Sequence, residues 1–215
     1  MQKPNFITYI LVLALLAGCK LQQPAANSRL HQAVLTGDAK AVKKFLVKGA
    51  SVNYQEEKRG WTPLLFAVEQ DNAELVKILV DHGADVNMIS TKNRVSSLQR
   101  AASKGNIEIM KMLITKGADL DHQDAQLRST PLMWTAVNGH EDAARLLLDN
   151  GALINARGNR GESALFLAVS AEKANMVSIL ISYDVIKDRP DIYGKTPMQK
   201  ATELNNREIV NLLSN

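Results

Sequence analysis

The densest set of chemistry-bearing side chains in this 215-residue chain is Asp119, Asp121, His122 and Asp124. Carboxylates and an imidazole this close together are groups that ligate divalent cations. Asp119 and Asp121, however, fall at positions that recur along the chain, so the four are read as a polar loop rather than a metal centre. His31, His82 and His140 fall at turns or helix ends. Ser163 has no Gly-x-Ser-x-Gly elbow and no base paired with it in sequence. Neither a phosphate-cradling glycine loop nor a His-Glu-x-x-His pair occurs. The expectation is a protein that is not an enzyme and uses no cofactor and no metal.

Charge narrows the partners. Net charge is +4, from 26 basic and 22 acidic residues interspersed along the chain, which suits solubility more than nucleic-acid binding. Aromatics make up only 5%, too few for a base-stacking surface. A hydrophobic content of 46% is that of a folded chain. No nucleic-acid partner is expected.

The elements that position these side chains follow from a period. Gly-Ala recurs at 49–50, 83–84, 117–118 and 151–152, each step 34 residues. Thr62-Pro63-Leu64, Thr130-Pro131-Leu132 and Thr196-Pro197-Met198 open units, with Ser96-Ser97-Leu98 and Ser163-Ala164-Leu165 between them. A fixed period in this range signals a repeat array. Thr or Ser caps the first helix of each unit, and Pro suits its first turn because its missing N–H has no helical partner there. Acids such as Asp38, Glu74, Glu108, Glu141 and Asp142 start the second helix, and Gly49, Gly83, Gly117 and Gly151 end it through a left-handed exit. Asp184 stands where the fifth unit should have that glycine, so irregularity is expected there. Neither helix is long enough to be stable alone, so the units must stack.

This pattern resembles the ankyrin repeat, whose signature is a Thr-Pro-Leu-His-x-Ala opening and a Gly-Ala-Asp-x-Asn close. Gly83-Ala84-Asp85-Val86-Asn87 matches the close fully. The family histidine survives only at His31, with Leu65, Gln99, Met133, Phe166 and Gln199 in its place. The resemblance covers 27–215 and implies an all-α solenoid of about six helix-turn-helix repeats with short hairpin-like loops. The repeats lie near 27–59, 60–93, 94–127, 128–160, 161–193 and 194–215.

The resemblance also implies where a protein partner would sit: the concave side made of loop tips and the exposed edge of each first helix. Repeat by repeat, that selects Lys58, Arg59, Trp61, Glu69 and Gln70, then Lys92, Asn93, Val95, Ser103 and Lys104. The fourth repeat supplies Gln126, Leu127, Ser129, Trp134, Val137 and Asn138. Asn159, Arg160 and Glu162 follow in the fifth, and Tyr193 in the sixth. Trp134 is placed with Phe66, Arg100 and Phe166 as equivalents. Lys43, Lys44, Lys48, Lys77, Lys111 and Lys116 recur on second helices, in the outer layer, and read as a solvated face.

The N-terminus has its own pattern. Lys3 precedes an apolar run from Phe6 to Ala17, too short to span a bilayer and suited to the core of a secretory signal. The run ends Leu16-Ala17-Gly18-Cys19, which resembles the lipobox of bacterial lipoproteins. That resemblance implies a signal peptide at 1–18, lipidation of Cys19, a tether over 19–28 and anchoring in the cell envelope facing the periplasm. Lys20 in place of the Asp that retains lipoproteins at the inner membrane leans towards the outer membrane. Together, the lipobox and the array resemble the immunity lipoproteins that neutralise type VI secreted phospholipases. The function expected is binding of a toxic effector by a chain that is a monomer when free. The alternative is a periplasmic scaffold or stress-support protein of the catalase-associated type.

Overall fold

The computed structural model describes residues 25–215, so the expected signal segment at 1–18, Cys19 and the expected tether up to residue 24 lie outside the described residues. Residues 25–28, expected as the end of that tether, are helical instead. Twelve helices follow in six pairs: α1 (25–35) with α2 (Ala39–Val47), α3 (Pro63–Glu69) with α4 (Ala73–Asp81), and α5 (Ser97–Lys104) with α6 (Ile107–Thr115). The series continues with α7 (Pro131–Asn138) and α8 (Glu141–Asp149), α9 (Ala164–Ser170) and α10 (Ala174–Ser182), and α11 (Pro197–Glu203) and α12 (Arg207–Ser214). No strand occurs among the described residues; the hairpin-like loops contain one isolated antiparallel bridge, between Ile89 and Ser96. The all-α solenoid expected from the sequence is what forms.

Local chemistry sets the helix ends. Thr62, Ser96, Thr130, Ser163 and Thr196 cap the first helices by accepting from the backbone N–H three residues on. Asp38 acts as the N-cap of α2, while Glu74 and Glu108 lie in the first turns of α4 and α6. Helices of seven to nine residues gain little from propensity alone, so packing must hold them.

That packing forms two layers. First helices contact first helices (α3 with α5, α5 with α7, α7 with α9, α9 with α11), and second helices do the same from α2 to α12. Ala33, Ala67, Ala101, Ala168 and Ala201 are buried at one register of the first helices, with Thr135 filling the same place in α7. Small side chains here let neighbouring helices approach. Leu79, Leu113, Leu147 and Leu180 form the matching row of the second helices, each fully buried. The core is thus one continuous seam from Leu30 to Leu213.

The loops are tied by a row of Asn and Asp side chains, within the first repeat and then from each repeat to the next. Asn27 accepts from the Ser51 N–H at 2.8 Å, Asn53 from Asp85 at 2.9 Å and Asn87 from Asp119 at 2.8 Å. Asp121 accepts from Leu153 at 2.8 Å and Asn155 from Ile186 at 3.0 Å. The Asp119–Asp124 loop is occupied in the same way. Asp119 accepts from the Asp121 N–H, Asp124 from Gln126 and Leu127, and His122 Nε2 lies 2.6 Å from the Arg94 carbonyl. Its polar groups hold backbone.

Gly49, Gly83, Gly117 and Gly151 all have positive φ, and Asp184 adopts the same conformation at φ 58°. A Cβ in that region is disfavoured. Asp184→Gly is therefore expected to stabilise the fold by about 1 kcal/mol, raising the thermal midpoint by roughly 2–4 °C. A melt unchanged or lowered by this substitution would show that the fifth exit carries no strain.

Candidate protein-interaction face

The tip between the first and second repeats is built around Glu56. Its carboxylate accepts from the backbone N–H of Arg59 at 2.5 Å, Lys58 at 2.7 Å and Trp61 at 3.4 Å. Partial burial raises its pKa, but the donated N–H groups of Arg59, Lys58 and Trp61 outweigh that and hold the carboxyl below the ordinary range. In the later tips Ser90, Asp124 and Asp191 play the same part, accepting from Val95, from Gln126 and Leu127, and from Tyr193 and Lys195. Neighbouring tips are joined by backbone bonds: Ala125 N–H to the Asn93 carbonyl, Asn159 to Leu127, and Ile192 to Arg160. The loop ends form an ordered row.

Around the first tip the aromatic side chains form a cluster. The Arg59 guanidinium lies 5.0 Å from the centroid of the Trp61 ring and that of Arg100 5.9 Å away, both within cation–π range. Beneath Trp61 sits Phe66, centroids 5.1 Å apart, and His31 meets Phe66 edge-on at 5.5 Å and Tyr54 at 5.6 Å. Arg100 also grips Glu69 with two nitrogens, Nε at 2.5 Å and Nη2 at 2.9 Å. Lys104 pairs with Asp71 at 3.1 Å. Arg59, Trp61, Glu69, Ser90, Lys92, Asn93 and Arg100 together line an open cleft of about 430 Å³, which joins loop tips to the helix edge on a single face. We refer to it as the inner face.

Of the residues selected from sequence, Lys58, Arg59, Gln70, Lys92, Asn93, Gln126, Leu127, Asn138, Asn159, Arg160 and Tyr193 are exposed. Trp61, Glu69, Val95, Ser103, Lys104, Trp134, Val137 and Glu162 are half-buried. Ser129 is a correction: it is 6% exposed, and its carbonyl accepts from Gln99 Nε2 at 2.6 Å, so it joins repeats rather than facing solvent. Phe166 is another. It lies three residues after its cap Ser163 and is buried, as His31 is, so Leu167 is the equivalent of Trp134.

Three features escaped sequence reading. Gln99 takes over the family histidine's work: where His31 Nε2 lies 3.2 Å from the Trp61 carbonyl, Gln99 reaches the corresponding Ser129 carbonyl and also that of His122 at 3.0 Å. The Arg100–Glu69 pair was missed because its partners belong to different repeats. Arg94 and Arg128 hold positive φ, 52° and 54°, where the equivalent tip positions are Gly60, Gly161 and Gly194. Aligning the five tips on their caps would have exposed that exchange.

A family model described as ankyrin repeats in three copies matches the chain over residues 30–124 and 132–215. The chain belongs to the ankyrin-repeat family, and its array is a protein–protein interaction module of a kind that is in general non-catalytic. A search of the curated proteins returned no match.

Proposed function

We propose that this chain is an envelope-anchored immunity protein that binds and neutralises a toxic secreted effector, with a phospholipase as the favoured class. The observation that carries the reading is the inner face. Residues that build the stack recur at every repeat, whereas Trp61 and Arg100, which line the cleft with Arg59, differ from their counterparts, as do Trp134 and Tyr193 in later repeats. Aromatics and arginines dominate interface energetics, so a unique set of them on a repetitive scaffold is what a dedicated partner requires. Placement in the envelope is supported by the Leu16-Ala17-Gly18-Cys19 sequence, which would tether the array where an incoming effector acts. Neutralisation would follow from occlusion: an array seated over the effector's active-site entrance excludes substrate without any chemistry of its own.

Co-production supplies the test. A lipase-class effector from the same cells, directed to the periplasm, is expected to lose its lethality when this chain is present. Undiminished killing by every such effector would overturn the reading, and peroxide sensitivity of a deletion strain indifferent to rival bacteria would favour a scaffold role instead.

A further inference from the structure

The four tips of the second to fifth repeats treat acids and bases differently. Their carboxylates are turned inward: Glu56 and Asp124 accept from tip backbone, and Glu162 accepts from the Arg160 N–H at 3.1 Å. Their cations are turned outward. Lys58, Arg59, Lys92, Arg94, Arg128 and Arg160 are all exposed. None is among the ion pairs formed by the described residues, which join Lys77 to Asp81, Arg100 to Glu69, Lys104 to Asp71 and Lys195 to Glu203. Glu57 is exposed on the same edge and leaves the row strongly positive. Folding has used the anions of the tips as loop scaffolding and left a ridge of cations.

From this asymmetry we infer that the ridge docks an acidic protein surface, one that presents carboxylates to successive tips while the Trp61 cleft takes a side chain beside them. The inference rests on the reading of the inner face as a protein-binding surface. Four of the six cations are arginines, whose planar fork takes carboxylate oxygens, as it does those of phosphate, in two-point contacts. Backbone bonds run from tip to tip between the third and sixth repeats, so most of the ridge is rigid and its charges have fixed spacing. Fixed spacing of the charges favours a folded protein over a fluid lipid headgroup layer. Two of the arginines, Arg94 and Arg128, keep left-handed backbone that glycine adopts freely at the equivalent tips, and Arg128 is steered by Nε and Nη2 bonds to Gln123 Oε1.

The experiment uses the full chain with a photo-crosslinking amino acid at Asn93, in the ridge, or at Ser178, on the outer helix α10, in living cells. It is repeated in the Arg59→Glu/Arg94→Glu/Arg128→Glu/Arg160→Glu variant. A control variant reverses Lys43, Lys44, Lys77 and Lys111 to glutamate, giving the same net charge. Vesicles of phosphatidylethanolamine with phosphatidylglycerol are the lipid probe. The expected result is a protein crosslinked at Asn93 through an Asp- and Glu-rich segment, with capture falling roughly tenfold or more in the ridge variant and with added salt, but not in the control. Matching thermal melts confirm that both variants fold. A neutral or basic crosslinked segment, or capture indifferent to ridge reversal, overturns the inference while leaving protein binding intact. Ridge-dependent binding to the vesicles with no protein captured overturns it in favour of a membrane surface, and capture of no protein and no vesicle overturns it outright. An acidic partner captured by a chain that neutralises no effector would keep this inference and remove the immunity reading.

Discussion

Gln99→Leu is expected to lower the unfolding free energy of the array by about 3 kcal/mol, whereas Gln99→His should retain most of the native stability. Gln99 is only 1% exposed, and all its polar capacity is committed. Its Oε1 accepts from the Ser96 N–H at 2.9 Å, completing the capping box of α5. Its Nε2 donates across the repeat boundary to the carbonyls of Ser129 and His122. Leucine would fill nearly the same volume yet leave the Ser96 N–H and the His122 carbonyl unpartnered and the Ser129 carbonyl with only the 3.3 Å bond from the Asp124 N–H, and each orphan costs about 1–3 kcal/mol. Histidine can restore the bond to Ser129 in the manner of His31 and Trp61. Urea unfolding followed by circular dichroism checks both substitutions. Native-like unfolding of the leucine variant would mean that water reaches these groups.

Trp61→Ala should weaken partner binding by about 2 kcal/mol, roughly 30-fold in Kd, and Trp61→Phe by much less. Trp61 is held between the Arg59 guanidinium and the tilted Phe66 ring, so its orientation is set before any partner arrives. A pre-oriented aromatic loses little conformational freedom on binding. Truncation would also release Arg59 and remove one wall of the cleft it lines with Lys92 and Asn93. Calorimetric titration with the captured partner measures the effect, and a thermal melt separates it from loss of fold. Unchanged affinity in the alanine variant would move the binding site away from the second repeat.

The period of 34 residues carried most of the architecture into view, since caps, exits and buried rows depend on residues close in sequence. Asp184 was legible for the same reason: its left-handed backbone follows from the position it occupies. Residues of the inner face were legible only as positions. That Arg100 would clasp Glu69, or that Arg59 would lie over Trp61, depends on side-chain directions that no repeat pattern encodes. Phe166 was misplaced on the face because Ser163 follows Thr130 by 33 residues, not 34, shifting the register of the fifth repeat by one. Ser129 failed differently: its place beside a tip is right, but the next repeat covers it.

The Asn and Asp row that ends with Asn155 reaching Ile186 has a mechanical consequence. From Asn53 onward each rung joins one repeat only to the next, so under a pull on the chain ends one rung can give way without breaking the others. Such an array yields like a zip, one unit at a time, and the repeats left behind keep their shape. The array can thus shed an end repeat under tension and rewind it when the load is gone.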